Sequence, residues 1–242
     1  MAKTTDDPRE QEFAAAVRNM FSGIAGRYDL LNHVLSLNID KRWRRRLKKQ
    51  IEVILASPQA RVLDVACGTG DVAIELGRGT EATIIGTDFC RPMLDIAKRK
   101  SGGDIDFIEG DAMALGFADA HFDGVTIAFG LRNVANKTTA LQEFFRILRP
   151  GGTLAILEFS KPRVPGLAAL FDLYFTKILP RIGGMVSGSR SAYEYLPDSV
   201  GKFPDQEGLA EMIREVGFEQ VSYTDLSGGI AAIHIGTKPS AL

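Results

Sequence analysis

The run Arg61-Val62-Leu63-Asp64-Val65-Ala66-Cys67-Gly68-Thr69-Gly70-Asp71 decides the fold of this chain. Residues 62–65 form an apolar strand with one acid set inside it, and residues 71–76 read as a helix, so the stretch spells strand, tight glycine turn, helix. Glycine lets a backbone approach a ligand where a Cβ would collide. A ligand then rests against the carboxyl end of a parallel strand, at the mouth of the first β-α turn. Asp64 is the discriminating residue. A carboxylate at the end of a buried strand needs a cationic or hydrogen-bonding partner, and a ligand carrying an ammonium group supplies one.

Gly68-x-Gly70-x-x-Ala73 also fits the loose dinucleotide pattern, with Asp88 at a distance suited to a ribose. A pyrophosphate, however, gains nothing from Asp64 beside the loop or from Asp71 at the opening of the helix, because an anionic cofactor prefers bare amides there. Asp64, Asp71 and Asp88 together favour a nucleoside with a positive head and no phosphates. S-adenosylmethionine answers that description. The plainer alternative makes these acids only caps and strand ends.

Working outward, the strand-helix alternation continues. Residues 83–87 are a second strand, followed by a helix that Pro92 can open at its first turn. Residues 105–108 and 122–129 are strands three and four. Residues 139–148 have helical periodicity and stop at Arg149-Pro150-Gly151-Gly152, and residues 153–159 are strand five. This alternation predicts a mostly parallel sheet covered on both faces, a Rossmann-like α/β fold. The chain ends differently: a helix near 207–216 precedes two strand-like runs, 217–226 and 230–237, joined by Ser227-Gly228-Gly229 as a hairpin. An antiparallel edge strand on the sheet is the expectation. Upstream, Phe13, Val17, Met20, Phe21 and Ile24 recur at helical spacing, and Asp40 is a candidate N-cap for a helix running to Leu55.

At 242 residues the chain bounds one elaborated domain. We divide it into an N-terminal helical cap (1–57), a cofactor-binding core (58–160), an insertion (161–204) and a C-terminal helix and hairpin (205–242). The insertion is too long for an ordinary connection. Its aromatics Phe171, Tyr174, Phe175, Tyr193 and Tyr195 suit a helical cap over the carboxyl ends of the strands. The balance of 29 basic and 30 acidic residues argues against a nucleic-acid partner. Cys67 and Cys90 make no disulfide framework, and the N-terminus lacks an apolar signal core, so a reducing, cytoplasmic setting is expected. One dense basic run, Lys41-Arg42-Trp43-Arg44-Arg45-Arg46-Leu47-Lys48-Lys49, is either a solvated helix face or a peripheral contact with an anionic membrane, with Trp43 at the surface.

With these elements placed, the chain resembles class I S-adenosylmethionine-dependent methyltransferases. Tyr28-Asp29-Leu30-Leu31-Asn32, Phe129-Gly130-Leu131-Arg132-Asn133-Val134, Leu157-Glu158-Phe159-Ser160-Lys161-Pro162 and Tyr193-x-Tyr195-Leu196-x-x-Ser199-Val200 resemble the signatures of one subfamily, the C-methyltransferases of menaquinone and ubiquinone biosynthesis. The resemblance spans nearly the whole chain after Phe13. It implies a seven-stranded sheet and cofactor contacts at Thr69, Asp88 and the Asp111-Ala112 pair. Asp64, Gly68 and Gly70 of the glycine turn complete the candidate cofactor set. Where the best-known members have Ser-Phe-Gly-Leu-Arg-Asn, this chain has Ala128 in the first position, so only a backbone contact is expected there.

Each candidate has an ordinary structural role to weigh. Asp88 can grip two ribose hydroxyls or cap the following helix. Asp111 can accept from the adenine amino group or serve as a turn residue. Arg132 and Asn133 follow strand four, at the ligand end of an open parallel sheet. Arg132 can stabilise a phenolate or sit in a salt bridge. Tyr28 and His33 belong to a segment able to close over the site, and His33 can take a proton near neutrality or be a packed histidine. The candidate catalytic set is therefore Arg132, Asn133, Tyr28 and His33.

The expected reaction is methylation of a ring carbon of a lipid-soluble polyprenyl quinol, demethylmenaquinol first, by in-line displacement that requires no metal. A benzoquinol precursor of ubiquinone is the alternative substrate. An NAD-dependent dehydrogenase and a non-catalytic S-adenosylmethionine-binding component of a quinone-synthesis complex are the alternative functions. A homodimer is a further expectation that the sequence itself does not decide.

Overall fold

The computed structural model describes residues 7–29, 36, 38–164, 166 and 190–240, with side chains described from residue 195 onward in the last stretch. His33, residues 30–32, Phe171, Tyr174, Phe175 and the side chain of Tyr193 lie outside the described residues.

The described elements run α1 (Pro8–Ile24), a 3-10 turn (Ala25–Arg27), α2 (Ile39–Gln50), α3 (Glu52–Leu55), β1 (Arg61–Val65), α4 (Asp71–Gly77), β2 (Thr83–Asp88), α5 (Arg91–Ser101), β3 (Asp106–Glu109) and β4 (Phe122–Ala128). A 3-10 turn (Leu131–Asn133), α6 (Lys137–Ile147), β5 (Leu148–Phe159), α7 (Arg190–Lys202), α8 (Gln206–Glu215), β6 (Glu219–Leu226) and β7 (Ala231–Thr237) follow. The strands form one seven-stranded sheet in the order β3-β2-β1-β4-β5-β7-β6. Pairs from β3 through β5 are parallel, and β7 runs antiparallel to both β5 and β6. The sheet is thus the seven-stranded, mostly parallel one expected, with one correction. The antiparallel strand is not at the edge: β7 lies between β5 and β6, so the edge strand β6 runs parallel to the core.

Local chemistry explains the boundaries. Pro92 occupies the first turn of α5, where its missing N–H costs nothing, and Gly102 ends that helix at φ 68°. Asn136 accepts from the Thr139 amide at 3.1 Å to open α6, and Asp205 does the same for Gly208 at 2.9 Å in α8. β5 starts at Leu148, earlier than expected, because the Gly151–Gly152 corner pairs with the chain end through Gly151 N–H to Lys238 O (2.9 Å) and Lys238 N–H to Gly152 O (2.8 Å).

Asp40 is not the N-cap. α2 opens at Ile39 after Asn38, and the Asp40 carboxylate instead accepts from Ser36 Oγ at 2.6 Å and pairs with Arg44 at 2.7 Å. The helix also breaks at Ile51 rather than running on to Leu55.

Apolar clusters cover both faces of the sheet. Leu63, Val65, Phe122, Val125, Leu141 and Phe144 belong to one, and Val62, Leu76, Ile84, Leu47, Ala155 and Leu157 to the other. Neighbouring residues of β1, such as Val62 and Leu63, enter opposite clusters, as the two-residue period of a strand requires. This doubly covered sheet fixes the carboxyl ends of β1, β2 and β4 side by side. α1 reaches across that edge, its Glu10 accepting from Asn136 Nδ2 at 3.1 Å and its Arg18 lying over the Phe89 ring at 5.2 Å.

Candidate active site

A cleft of about 740 Å³, its open mouth included, lies over the carboxyl ends of β1, β2 and β4. The fold builds its wall through strained turns. Gly70 sits at φ 83°, and a Cβ there would meet Ala97 and Phe107, both at 2.9 Å. Ala66 and Phe129, the first residues beyond β1 and β4, take left-handed conformations at φ 49° and 55°. Such conformations are costly for residues other than glycine and gather at functional sites. Gly130 lets these two turns meet, since a Cβ there would stand 2.6 Å from that of Ala66. In its turned conformation Phe129 keeps its N–H on Leu157 O at 2.7 Å, and its carbonyl accepts from Arg132 and Asn133.

Asp88 sits in the cleft wall with both carboxylate oxygens already engaged. Oδ1 accepts from the Cys90 amide and Oδ2 from the Gly68 amide, each at 2.8 Å. The carboxylate therefore ties the glycine turn to β2, and its spare lone pairs remain available to a ligand. Burial raises its pKa, against the amides of Cys90, Gly68 and Phe89. Asp111 also lines the cleft beside Ala112, and its Oδ1 accepts from the Met113 amide at 2.9 Å. The turn role and the wall position coexist in this residue.

Tyr28, Asn133 and Gly68 complete the predicted residues found in the wall, as does Ala128. The others stand one layer behind. Asp64 is 1% exposed and accepts from Thr126 Oγ1 at 2.8 Å, while its Oδ2 has no hydrogen-bond partner among the described residues. Burial pushes its carboxyl up to about 7, with Thr126 and the Ala73 amide pulling the other way and Asp88 adding repulsion. Thr69 donates to Asp29 Oδ1, and Lys100 joins Asp29 at 2.7 Å to Asp71 at 2.6 Å. That network fastens the Tyr28–Asp29 segment to the glycine turn and to α5. Gly70 serves the turn's geometry.

Arg132 is buried behind the wall. Nη1 pairs with Glu158 Oε1 at 2.7 Å and donates to Phe129 O at 2.5 Å, and the guanidinium lies 5.3 Å from the Phe159 ring. Glu158, itself 1% exposed, also accepts from the amides of Arg132 (3.2 Å) and Phe159 (2.9 Å). The salt-bridge role weighed for Arg132 is thus what its contacts show. Glu158 carried no assigned role in the sequence reading. Its signal was available: like Asp64, it is a single acid in an apolar strand.

Other wall residues had no functional signal in the sequence. Phe21, Phe89, Met93 and Met113 are ordinary apolar positions whose place emerges only when α1 crosses the strand ends. Phe21 and Tyr28 meet edge to face at 5.9 Å, closing that side.

The basic run needs a correction. Trp43 is 6% exposed, donates from Nε1 to Ser227 Oγ at 3.0 Å, and packs near Phe129 and Phe159 with ring centroids 5.9 and 6.1 Å away. It is a core residue and not a membrane anchor. Arg44 is committed to Asp40 and Asp71, and Lys48 to the carbonyls of Glu75 and Arg78. The exposed cations are Lys41, Arg42, Arg45, Arg46 and Lys49, which share one face of α2.

S-adenosylmethionine fits what these residues offer. The cleft wall contains acids and no Lys, Arg or His among the described residues, the opposite of a pyrophosphate site. Asp64 Oδ2 is a buried acceptor awaiting a donor, Asp88 suits vicinal hydroxyls, and Phe89, Met93 and Met113 give an apolar bed for a base.

Comparison with known proteins agrees. Residues 7–238 match the family model of the ubiE/COQ5 methyltransferase family. The chain is 50% identical over 233 residues to the demethylmenaquinone methyltransferase of Deinococcus radiodurans, covering 95% of each chain. It is 48% identical over 224 residues to the protein of that name from Thermus thermophilus, covering 91% of this chain and all of the other. Among solved structures, a SAM-dependent methyltransferase from Thermotoga maritima superposes with a TM-score of 0.65 at 21% identity, over 92% of this chain and 99% of that one, which speaks to the fold. The chain belongs to the ubiE/COQ5 methyltransferase family.

Proposed function

We propose that this protein methylates a ring carbon of a polyprenyl quinol with S-adenosylmethionine, and that its substrate is demethylmenaquinol. The observation that carries the reading is the cleft wall: acids at Asp88 and Asp111, the orphaned Asp64 Oδ2 behind it, and no basic side chain facing it among the described residues. The names of the two relatives above favour the naphthoquinol over a benzoquinol.

Bound there, the cofactor supplies an electrophilic methyl group on a sulfonium. Asp64 offsets the positive head, Asp88 holds the ribose, and Asp111 with Ala112 receives the adenine edge. Ionisation of the quinol hydroxyl raises electron density at the ring carbon. That carbon would gain the methyl group as the C–S electron pair returned to sulfur; its own proton would then pass to water, and the ring oxygen would regain a proton, so that one proton is released in all. Asn133 orients the quinol oxygen. Arg132 and Glu158, paired behind the wall, brace the turn that presents Asn133. A water or His33 takes the hydroxyl proton. Tyr28, Phe21 and α1 exclude water so that carbon and methyl stay at near-attack distance.

A prenylated substrate resides in a bilayer, and no described helix is long and apolar enough to cross one. The cationic face of α2 gives a peripheral route. Trp43, on the opposite face of that helix, packs near Phe129 of the cleft wall, so docking through Lys41, Arg42, Arg45, Arg46 and Lys49 brings the cleft near the lipid. Calorimetry with S-adenosylhomocysteine and with NAD tests the cofactor. Turnover on matched demethylated naphthoquinol and benzoquinol tests the substrate. Nicotinamide binding without S-adenosylhomocysteine affinity overturns the reading, as does cofactor binding without methyl transfer.

A further inference from the structure

The amide of Asn133 is fixed from two sides, and one of them comes from the insertion. Its Nδ2 donates to the carbonyl of Phe129 at 3.2 Å, and its Oδ1 accepts from the hydroxyl of Tyr195 at 3.0 Å. The two contacts agree on one orientation of the amide. A carbonyl can only accept, so Nδ2 must face Phe129, and Oδ1 must then face the tyrosine. The carbonyl is itself held in place by the left-handed turn at Phe129 and by its second donor, Arg132. Tyr195 is half-buried on α7, which packs against the Leu131–Asn133 turn and against α1. Asn133 lines the cleft, and Nδ2 has a second hydrogen that the Phe129 contact leaves over.

We propose that Tyr195 is a positioning residue for methyl transfer: its hydroxyl locks the Asn133 amide so that the remaining Nδ2 hydrogen is presented to the quinol oxygen beside the carbon that is methylated. The proposal rests on the quinol reading of the cleft. Without the lock, the 3.2 Å contact with Phe129 alone holds the amide, which then turns more readily and offers an acceptor to an oxygen that carries negative charge in the transition state. Burial raises the pKa of Tyr195, opposed by nearby Arg132 and reinforced by Asp198 and Glu158, so the hydroxyl keeps its proton and stays the donor. The lock also gives α7 a task in the site. The helix must be docked on the turn for Asn133 to be set.

The test is Tyr195→Phe, which keeps the ring and removes one hydroxyl, measured alone and combined with Asn133→Ala. The expected result is a kcat lower by roughly three- to tenfold, the worth of one hydrogen bond, with affinity for S-adenosylhomocysteine unchanged. In the Asn133→Ala background the same substitution should do nothing further, because the group it acts through is gone. Unchanged turnover, a parallel loss of cofactor affinity, or a full additive effect on Asn133→Ala overturns the proposal. NMR of the Asn133 side-chain amide supplies an arm that does not depend on turnover. Its two Nδ2 protons should be resolved and slow to exchange in the native chain, and altered in Tyr195→Phe. An identical amide spectrum in the two proteins refutes the lock even if the quinol is not the substrate. Absence of turnover by the unmutated protein, with the amide change present, counts against the quinol reading alone.

Discussion

Arg132→Ala tests the reasoning about the strand-four turn most severely. Arg132 and Glu158 form a buried ion pair, with side chains 7% and 1% exposed and 2.7 Å between Nη1 and Oε1. Truncating the arginine leaves Glu158 with the amides of residue 132 and Phe159 as its hydrogen-bond donors among the described residues, at 3.2 and 2.9 Å in the native chain. Breaking a buried pair by removing one partner costs about 3–5 kcal/mol. The lost stacking over Phe159 at 5.3 Å lies within that range. For a chain of this size each kcal/mol moves Tm by about 2–4 °C, so a fall of about 6–20 °C is expected. The assay is urea unfolding with a parallel thermal scan. Adding Glu158→Gln removes the stranded charge while keeping an acceptor for the amides, and should recover at least half of the loss. A single variant within about 1 kcal/mol of the native protein would refute the argument, since this is below the whole range for a broken buried pair. So would a double variant no better than the single. Turnover of Arg132→Ala should be read only at a temperature where the fold is intact.

Four further outcomes follow from the same geometry. Asp64 has its folded-state pKa raised to about 7, so in the free enzyme it binds a proton that the ammonium group of the ligand must displace. Affinity for S-adenosylhomocysteine should therefore rise with pH up to about 7 and then level off, and Asp64→Asn should flatten that rise; a flat native profile by calorimetry would contradict it. The same raised pKa makes the ligand-free fold lose stability as pH climbs from 3.8 toward 7, the sign expected when the native state holds the extra proton. Asp88→Ala should weaken the cofactor by about 1.5–3 kcal/mol for each charge-assisted bond lost, and should also lower Tm, because the Gly68 and Cys90 amides lose their acceptor. Unchanged affinity removes the ribose assignment. Neutralising Arg42, Arg45, Arg46 and Lys49 should release the protein from anionic vesicles in a flotation assay, each charge contributing about 1 kcal/mol near the surface, while turnover on a short-tailed quinol in detergent persists. Undiminished flotation leaves the solvated-face role standing.

The glycine turn and Asp88 were legible because their meaning is local: strand, turn and helix lie in sequence order, and the ligand end of a parallel strand is fixed by topology. Gly68, Asp88, Asp111 and Asn133 accordingly reach the cleft wall. What could not be read was pairing across distance. Arg132 meets Glu158 only because β4 and β5 are neighbours in register, and Asn133 meets Tyr195 only because α7 docks on the turn. Trp43 was misjudged for another reason. The charges around it suggested a surface helix, yet Trp43 and Leu47 stand four residues apart on one face, and that spacing marks burial. The antiparallel strand was placed at the edge because a hairpin at a chain end does not say which of its strands joins the sheet. β7, nearly all buried, takes the inner place, and the polar β6 takes the edge.

The most direct test is transfer of an isotope-labelled methyl group from S-adenosylmethionine to reduced demethylmenaquinone, with the product analysed by mass spectrometry and NMR. The account predicts one methyl per ring, bonded to carbon, formed without added metal and abolished by excess S-adenosylhomocysteine. Label on a quinol oxygen, or none on the quinol from a protein that binds S-adenosylhomocysteine, would contradict it.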